Sequence, residues 1–220
     1  MINTIRIETH CHTHYSADCL MHPKRLIEVC HERGINRLCV TDHNTTKGAF
    51  EMASLAPDLI IPGVEIMTTK GELIALFVEK EVSYGLDPLD TIECFRDQGA
   101  VILVPHPFDI HRHGSWSESD LRMIAPHVDA IEVFNSRSLN ASMNNNASLF
   151  ANELGLMTTV GSDAHSYSEV GKSTIYMQDY VDSDAFVANL NTAILDTNSS
   201  NPLVHLSSRW AFLVSKMNKE

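Results

Sequence analysis

Thr9-His10-Cys11-His12-Thr13-His14-Tyr15-Ser16-Ala17-Asp18 follows directly on an alternating apolar run, residues 2–7, that reads as a β-strand. In an extended chain every second side chain points to the same face. His10 and His12 therefore project together and Cys11 points away. Two neutral imidazoles side by side suit a divalent transition metal. Asp18, beyond a Ser-Ala-Asp turn, can return a carboxylate to the same place.

Working outward, the hydrophobic pattern predicts strands over 37–41, 59–64, 73–78, 100–104, 130–134, 156–160 and 174–177. Helices are predicted over 23–33, 46–55, 87–98 and 141–154, with a short one over 118–124. Gly34, Gly99 and Gly155 stand as stop signals, and His22-Pro23 opens the first helix. Two further helices are read near 184–195 and 203–217, the apolar stripe of the second (203–214) facing the core. Strands that alternate with helices predict a parallel α/β fold. The runs 59–64 and 101–104 are apolar throughout, as expected of strands covered on both faces.

At 220 residues the chain is read as one domain. Its formal charge of −12 opposes long nucleic acid and anionic membranes, which reward a basic surface. It leaves room for a small anionic ligand held by metals, because bound cations reverse the local field. The five cysteines are odd in number and form no CxxC pair, and the N-terminus has no signal-like pattern. Reduced thiols and a cytoplasmic location are the expectation. No apolar run approaches the roughly 20 residues that span a bilayer.

The residues that carry chemistry recur at one kind of place. His10, His12, His43, Glu65, His106, Asp163 and His165 all fall just past the predicted end of a strand, and only Glu72 precedes its strand. In a parallel barrel these ends gather on one face, where active sites are built. Asp163 and His165 repeat the alternate-residue arrangement of His10 and His12.

The motifs HCHTHYSAD, TDH, GVE, PHP and GSDAH, running from His10 to Gly171, resemble those of the polymerase and histidinol phosphatase (PHP) family of metal-dependent phosphoesterases. The segments 71–77 and 132–137 are similar to those of its short stand-alone members. The resemblance implies a distorted (βα)7 barrel of the α/β class, roughly 1–180, with C-terminal helices over 181–217 packed on it. It also implies two to three divalent ions (Zn, Mn or Fe). His10, His12, Glu65 and Asp163 would hold the first ion. Glu65 would bridge to a second, completed by His106 and Glu72, and Asp18, His43 and His165 would hold a third. Many relatives carry histidine where this chain has Glu72, and a carboxylate there favours harder ions. The implied chemistry is hydrolysis of a small phosphomonoester, a nucleotide or sugar phosphate. A metal-bound hydroxide held by Glu65, Asp163, His10 and His12 would attack phosphorus in line. The alternatives are trimming of short oligonucleotides from the 5′ end, a non-catalytic metal-stabilised module, and a deaminase or amidohydrolase.

Other residues have plainer readings. Arg137 either holds the substrate phosphate or pairs with an acid such as Glu132. Lys172 is a substrate contact or a solvated lysine. Asp42 either orients a ligand imidazole or binds backbone. His111 and His113 belong to a polar surface loop. His14, His22, His31, His127 and His205 are given no site role, and Cys11 is read as core.

Overall fold

The computed structural model describes residues 4–112 and 114–217. One nine-stranded sheet carries the fold, in the order β7-β6-β5-β4-β3-β2-β1-β8-β9. Its strands are β1 (Thr4–Cys11), β2 (Arg37–Val40), β3 (Ile60–Met67), β4 (Glu72–Leu76), β5 (Val101–Val104), β6 (Ala130–Asn135), β7 (Met157–Gly161), β8 (Thr174–Gln178) and β9 (Ile194–Asp196). The helices are α1 (Pro23–Glu32), α2 (Lys47–Leu55), α3 (Pro88–Arg96), α4 (Glu118–Ile124), α5 (Ala141–Leu154), α6 (Ser183–Leu190) and α7 (Val204–Met217).

The sheet curls until β7 returns to β1, so that seven strands nearly close a barrel. The first half of β1 pairs antiparallel with β8, from Thr4–Gln178 to Ile7–Ile175. Its second half turns to the other side. Thr9 Oγ1 donates to the Val160 carbonyl at 2.6 Å, and His12 N donates to the Ala164 carbonyl at 3.0 Å. The stretch that carries the two leading histidines is therefore also the seam of the barrel.

The expectation of a uniformly parallel sheet is corrected at β4 and at β8–β9. The pairs β1–β2, β2–β3, β5–β6 and β6–β7 are parallel, whereas β4 runs antiparallel to both β3 and β5. Only residues 68–71 separate β3 from β4. A parallel crossover needs a dozen or more residues, so this link can make only a hairpin. The reversal has a consequence for the site, because the first residue of β4 lies at the end of the barrel where the parallel strands finish.

Local signals behave as expected at the helix ends. Gly34, Gly99 and Gly155 have φ of +64°, +70° and +65°, a conformation that costs glycine nothing. Asp87 caps α3 by accepting from Leu89 N at 2.9 Å. Ile7, Ile74, Leu76, Ile102 and Phe95 belong to the larger apolar core, while Leu26, Leu38 and Met52 join α1, α2 and β2 in a second.

The C-terminal region departs from expectation twice. The helix read near 184–195 stops at Leu190, and Ile194–Asp196 instead pairs as an edge strand with β8. The helix over 203–217 forms, but its large apolar residues do not face the core. Its buried positions are Ser208 and Ala211, whereas Leu206, Trp210, Phe212 and Leu213 are more than half exposed. Ser208 and Ala211 form its buried side, and the bulky apolar residues stand exposed.

Candidate metal centre

His10 on β1 and His12 just past its end, both fully buried, face each other with Nε2 atoms 3.1 Å apart. The protons of both rings can be placed from their outer partners. His10 Nδ1 lies 3.1 Å from Glu132 Oε1, and a carboxylate only accepts. His12 Nδ1 lies 3.1 Å from Ser16 Oγ, whose own proton goes to Asp42 Oδ1 at 2.7 Å. Both rings therefore carry hydrogen on Nδ1, and each presents an Nε2 lone pair to the other. His165 is oriented the same way, with Nδ1 donating to the Asp163 carbonyl at 2.9 Å. Lone pairs held this close repel unless a cation, a proton or a metal ion, lies between them. A tetrahedral ion with bonds near 2.1 Å separates its ligands by about 3.4 Å.

The carboxylates complete the cluster. Glu65, in β3, places Oε1 at 2.8 Å from His106 Nε2 and Oε2 at 3.4 Å from His12 Nε2, 3.5 Å from His10 Nε2 and 3.0 Å from His43 Nδ1. Asp163 Oδ1 lies 3.3 Å from His12 Nε2 and 3.6 Å from His10 Nε2. Asp18 Oδ2 lies 3.1 Å from His165 Nε2, and Glu72 Oε2 3.9 Å from His106 Nε2. Yet Glu65 Oε2, Asp163 Oδ1, Asp18 Oδ1 and His165 Nε2 are buried without a hydrogen-bond partner. Buried polar atoms are nearly always paired, so a convergent group of orphans calls for a bound cation. Burial works against a charge on His10, but Asp163, Glu65 and Glu132 outweigh it and hold its pKa well above the ordinary imidazole value. The pocket thus favours positive charge at its centre.

The structure brings every residue of the expected donor set into this pocket. Four interlocking triads have ligand atoms close enough to share an ion: His10, His12 and Asp163; His10, Glu65 and His106; His12, His43 and His165; and His43, Glu65 and Glu72. Glu72 is present because β4 is reversed, which explains why it alone precedes its strand. Asn44, His106 and Asp163 adopt φ of +58°, +27° and +51°. A non-glycine residue there costs about 1–3 kcal/mol and persists only where its surroundings hold it. All three sit on or beside the donor set.

A layer of carboxylates behind the donors holds them in place. Asp42 accepts from Thr13 N at 2.7 Å and from the Thr13 and Ser16 hydroxyls. It acts on His12 through Ser16, and not directly on the neighbouring His43 ring. Glu8 accepts from Gly171 N at 2.9 Å, Ser162 N at 3.1 Å and the Ser162 hydroxyl, tying down the loop that carries Asp163; burial pushes its pKa up to about 7. Glu132 takes His10 Nδ1 on one oxygen and His106 N, at 2.9 Å, on the other. A Cβ on Gly161 would fall 2.1 Å from that first oxygen, so only glycine leaves it room. Partners of this kind typically set metal affinity within a factor of about 10–100. Glu132→Gln is expected to weaken metal binding by about that factor with the fold retained. Competition against a chelator of known affinity measures it, and unchanged affinity would remove Glu132 from this role.

Neither this part for Glu132 nor any site role for Arg112 is expected from the sequence motifs. Arg112 Nη2 meets Asp163 Oδ2 at 2.5 Å, and its Nε is held by Asp109 Oδ2 at 3.0 Å. The signal was a lone cation between His111 and His113 in a polar loop. His113 itself lies outside the described residues.

The donor set opens into a cleft of about 890 Å³, with Asp18, His43 and His165 among its lining residues and α7 along one side. Arg137 also lines it, with Nη2 donating to Ser208 Oγ at 2.7 Å and Nη1 to the Asp163 carbonyl at 3.4 Å. The acid beside Arg137 is Glu169, 3.6 Å away, and not Glu132. Lys172 follows the turn at Gly171 to an exposed position and does not line the cleft. His205, given no role from the sequence, does line it, with Nε2 3.0 Å from the Arg137 carbonyl. His14 and His22 border a separate hollow. Among the described residues no helix is long and apolar enough to cross a membrane.

Residues 8–169 match the family model described as PHP domain. An uncharacterized protein of Methanocaldococcus jannaschii is 35% identical over 176 residues, covering 78% of this chain and 70% of the relative. Among solved structures, PsfC from Pseudomonas syringae superposes with a TM-score of 0.70 at 20% identity, over 96% of this chain and 99% of that one. A two-domain protein from Bacteroides vulgatus, containing what is predicted to be a PHP-like metal-dependent phosphoesterase, gives 0.70 at 17% identity, over 89% and 65% of the two chains. At these identities the structural matches speak to the fold alone.

Proposed function

We propose that this chain, which belongs to the PHP domain family, is a metal-dependent phosphoesterase that hydrolyses a small phosphomonoester at a site of two to three divalent ions. The observation that supports this is the group of buried, orphaned ligand atoms on Glu65, Asp163, Asp18 and His165, opening to a cleft that also holds Arg112 and Arg137. His10, His12, Glu65 and Asp163 would hold one ion, Glu65 with His106 and Glu72 a second, and Asp18, His43 and His165 a third. The carboxylate at position 72 favours manganese or iron over softer ions.

Bound divalent ions would supply a water deprotonated near neutral pH and positive charge for the phosphoryl oxygens. The chain's own residues do the rest. Glu132, Ser16 and the Asp163 carbonyl keep three imidazole protons on the outer nitrogens, so the inner ones stay free to bind. Arg112 and Arg137 offer guanidinium groups to a phosphate in the cleft. Ser162, the one nearby hydroxyl that resembles a nucleophile, is fully buried, donates to Glu8 and accepts from Ser173 N at 2.9 Å. It braces the loop and is not free to attack. The net charge of −12 supports a small phosphorylated substrate over long nucleic acid or membrane, and supports monoester hydrolysis over oligonucleotide trimming.

The experiment is to load the protein with manganese, iron or zinc, count bound metal, and follow three products. These are phosphate from a phosphomonoester panel, mononucleotides from 5′-phosphorylated oligonucleotides, and ammonia from amino-substituted heterocycles. Metal-dependent phosphate release from monoesters is expected. Ammonia release without phosphate would transfer the site to amidohydrolase chemistry, and bound metal without any turnover would make it a binding module.

A further inference from the structure

We infer that the alcohol part of the substrate is an apolar ring or branched chain, and that α7 is the wall that selects it. The inference rests on the phosphoesterase reading and narrows it. The α7 residues that line the cleft are His205, Leu206, Ser208, Arg209, Phe212 and Leu213. They recur at the spacing of one helical face, so the helix lies along the cleft and is not merely near it. Leu206, Phe212 and Leu213 are 59%, 51% and 55% exposed, which leaves their apolar surface free for a ligand.

Arg137 connects this wall to the chemistry. Its Nη2 donates to Ser208 Oγ on α7, its Nη1 reaches the carbonyl of Asp163, and its own carbonyl meets the His205 ring. A phosphate seated over Asp18, His43 and His165 would therefore have its ester group directed towards α7. A cleft of about 890 Å³ far exceeds what a phosphate fills and falls in the usual range for drug-sized ligands.

The carboxylates and the hydroxyl that line the cleft are all engaged, which leaves a polyol no free oxygen acceptor among the described side chains there. Sugar hydroxyls need acceptors as well as a flat apolar face. Asp109 is taken by Arg112 and by His111 N, Ser208 is taken by Arg137, and Asp18 belongs to the donor set. Pro202 and Leu139 extend the apolar lining on the same side.

The test compares cyclohexylmethyl phosphate with glucose 6-phosphate. Both are primary alkyl esters, and the ring oxygen makes the sugar the better leaving group, so a preference for the apolar ester cannot come from leaving-group basicity. Burial of a six-carbon ring predicts a kcat/KM ratio of about thirtyfold or more in favour of the apolar ester. Calorimetric titration with the two corresponding phosphonates should show the same preference in Kd, independently of turnover. The double variant Leu206→Ser, Phe212→Ser should bring both ratios to within about threefold of unity, while Trp210→Ser, on α7 but outside the cleft lining, should leave them in place. Equal kcat/KM for the two esters in the unmodified protein, or ratios that survive the double substitution, would overturn the inference and leave the phosphoesterase reading standing. Absence of metal-dependent phosphate release from either ester would overturn both.

Discussion

Glu65→Gln is expected to reduce turnover by at least about a thousandfold, on the scale seen when a central charge-stabilising group is removed, and to lower the number of bound ions. Glu65 is the residue most of the donor set converges on. One oxygen meets His106 at 2.8 Å, while the other lies within 3.5 Å of His10, His12 and His43. His10 and His43 hold its carboxyl well below the usual carboxylate range, against the opposing effect of burial. The amide keeps the volume of the side chain but replaces one oxygen by an NH2 group, which cannot bind a cation and would point a donor at the pocket. The loss therefore falls on metal content first and on rate as its consequence. Elemental analysis beside steady-state kinetics separates the two. A Glu65→Gln protein with full metal content and turnover within tenfold of the unmodified chain would refute the bridging role.

Much of this site could be read before any coordinates, for a simple physical reason. Ligands at strand ends come in short motifs whose alternation reveals which side chains share a face. His10 with His12 and Asp163 with His165 are the examples. What the sequence concealed depends on direction and on distance. Glu72 looked misplaced because nothing in its neighbourhood announces that β4 runs backwards, although the short link from β3 requires it. Glu132 and Glu8 act on residues more than a hundred positions away, and a buried carboxylate in a strand has no local signature. The α7 stripe misled for the opposite reason. Its spacing is that of a core-facing helix, but periodicity reports only that one face is apolar and not what covers it. The small residues Ser208 and Ala211 took the buried side, and the apolar residues were left at the cleft.

Removing metal from this donor set is expected to lower the melting temperature by roughly 8–16 °C, reversibly. A ligand that binds only the folded chain stabilises it by about 4 kcal/mol at a thousandfold excess over its Kd. For a chain of this size each kcal/mol is worth about 2–4 °C. Without metal ions, the Glu65 and Asp163 carboxylates stay buried, and the positive charge left beside them is Arg112 on Asp163 with the protons that His10 and His43 retain. Chelation thus removes favourable contacts that the fold cannot replace by moving its ligands, because Asp163 and His106 sit in backbone conformations imposed by their surroundings. Melting curves with excess chelator, and again after adding back manganese, measure the shift. Asp163→Asn should shrink it, since the variant loses a ligand and binds the ions less tightly. A melting temperature indifferent to chelator and to added metal would mean that these side chains tolerate one another unaided, and the donor set would then have to be read as a hydrogen-bonded core.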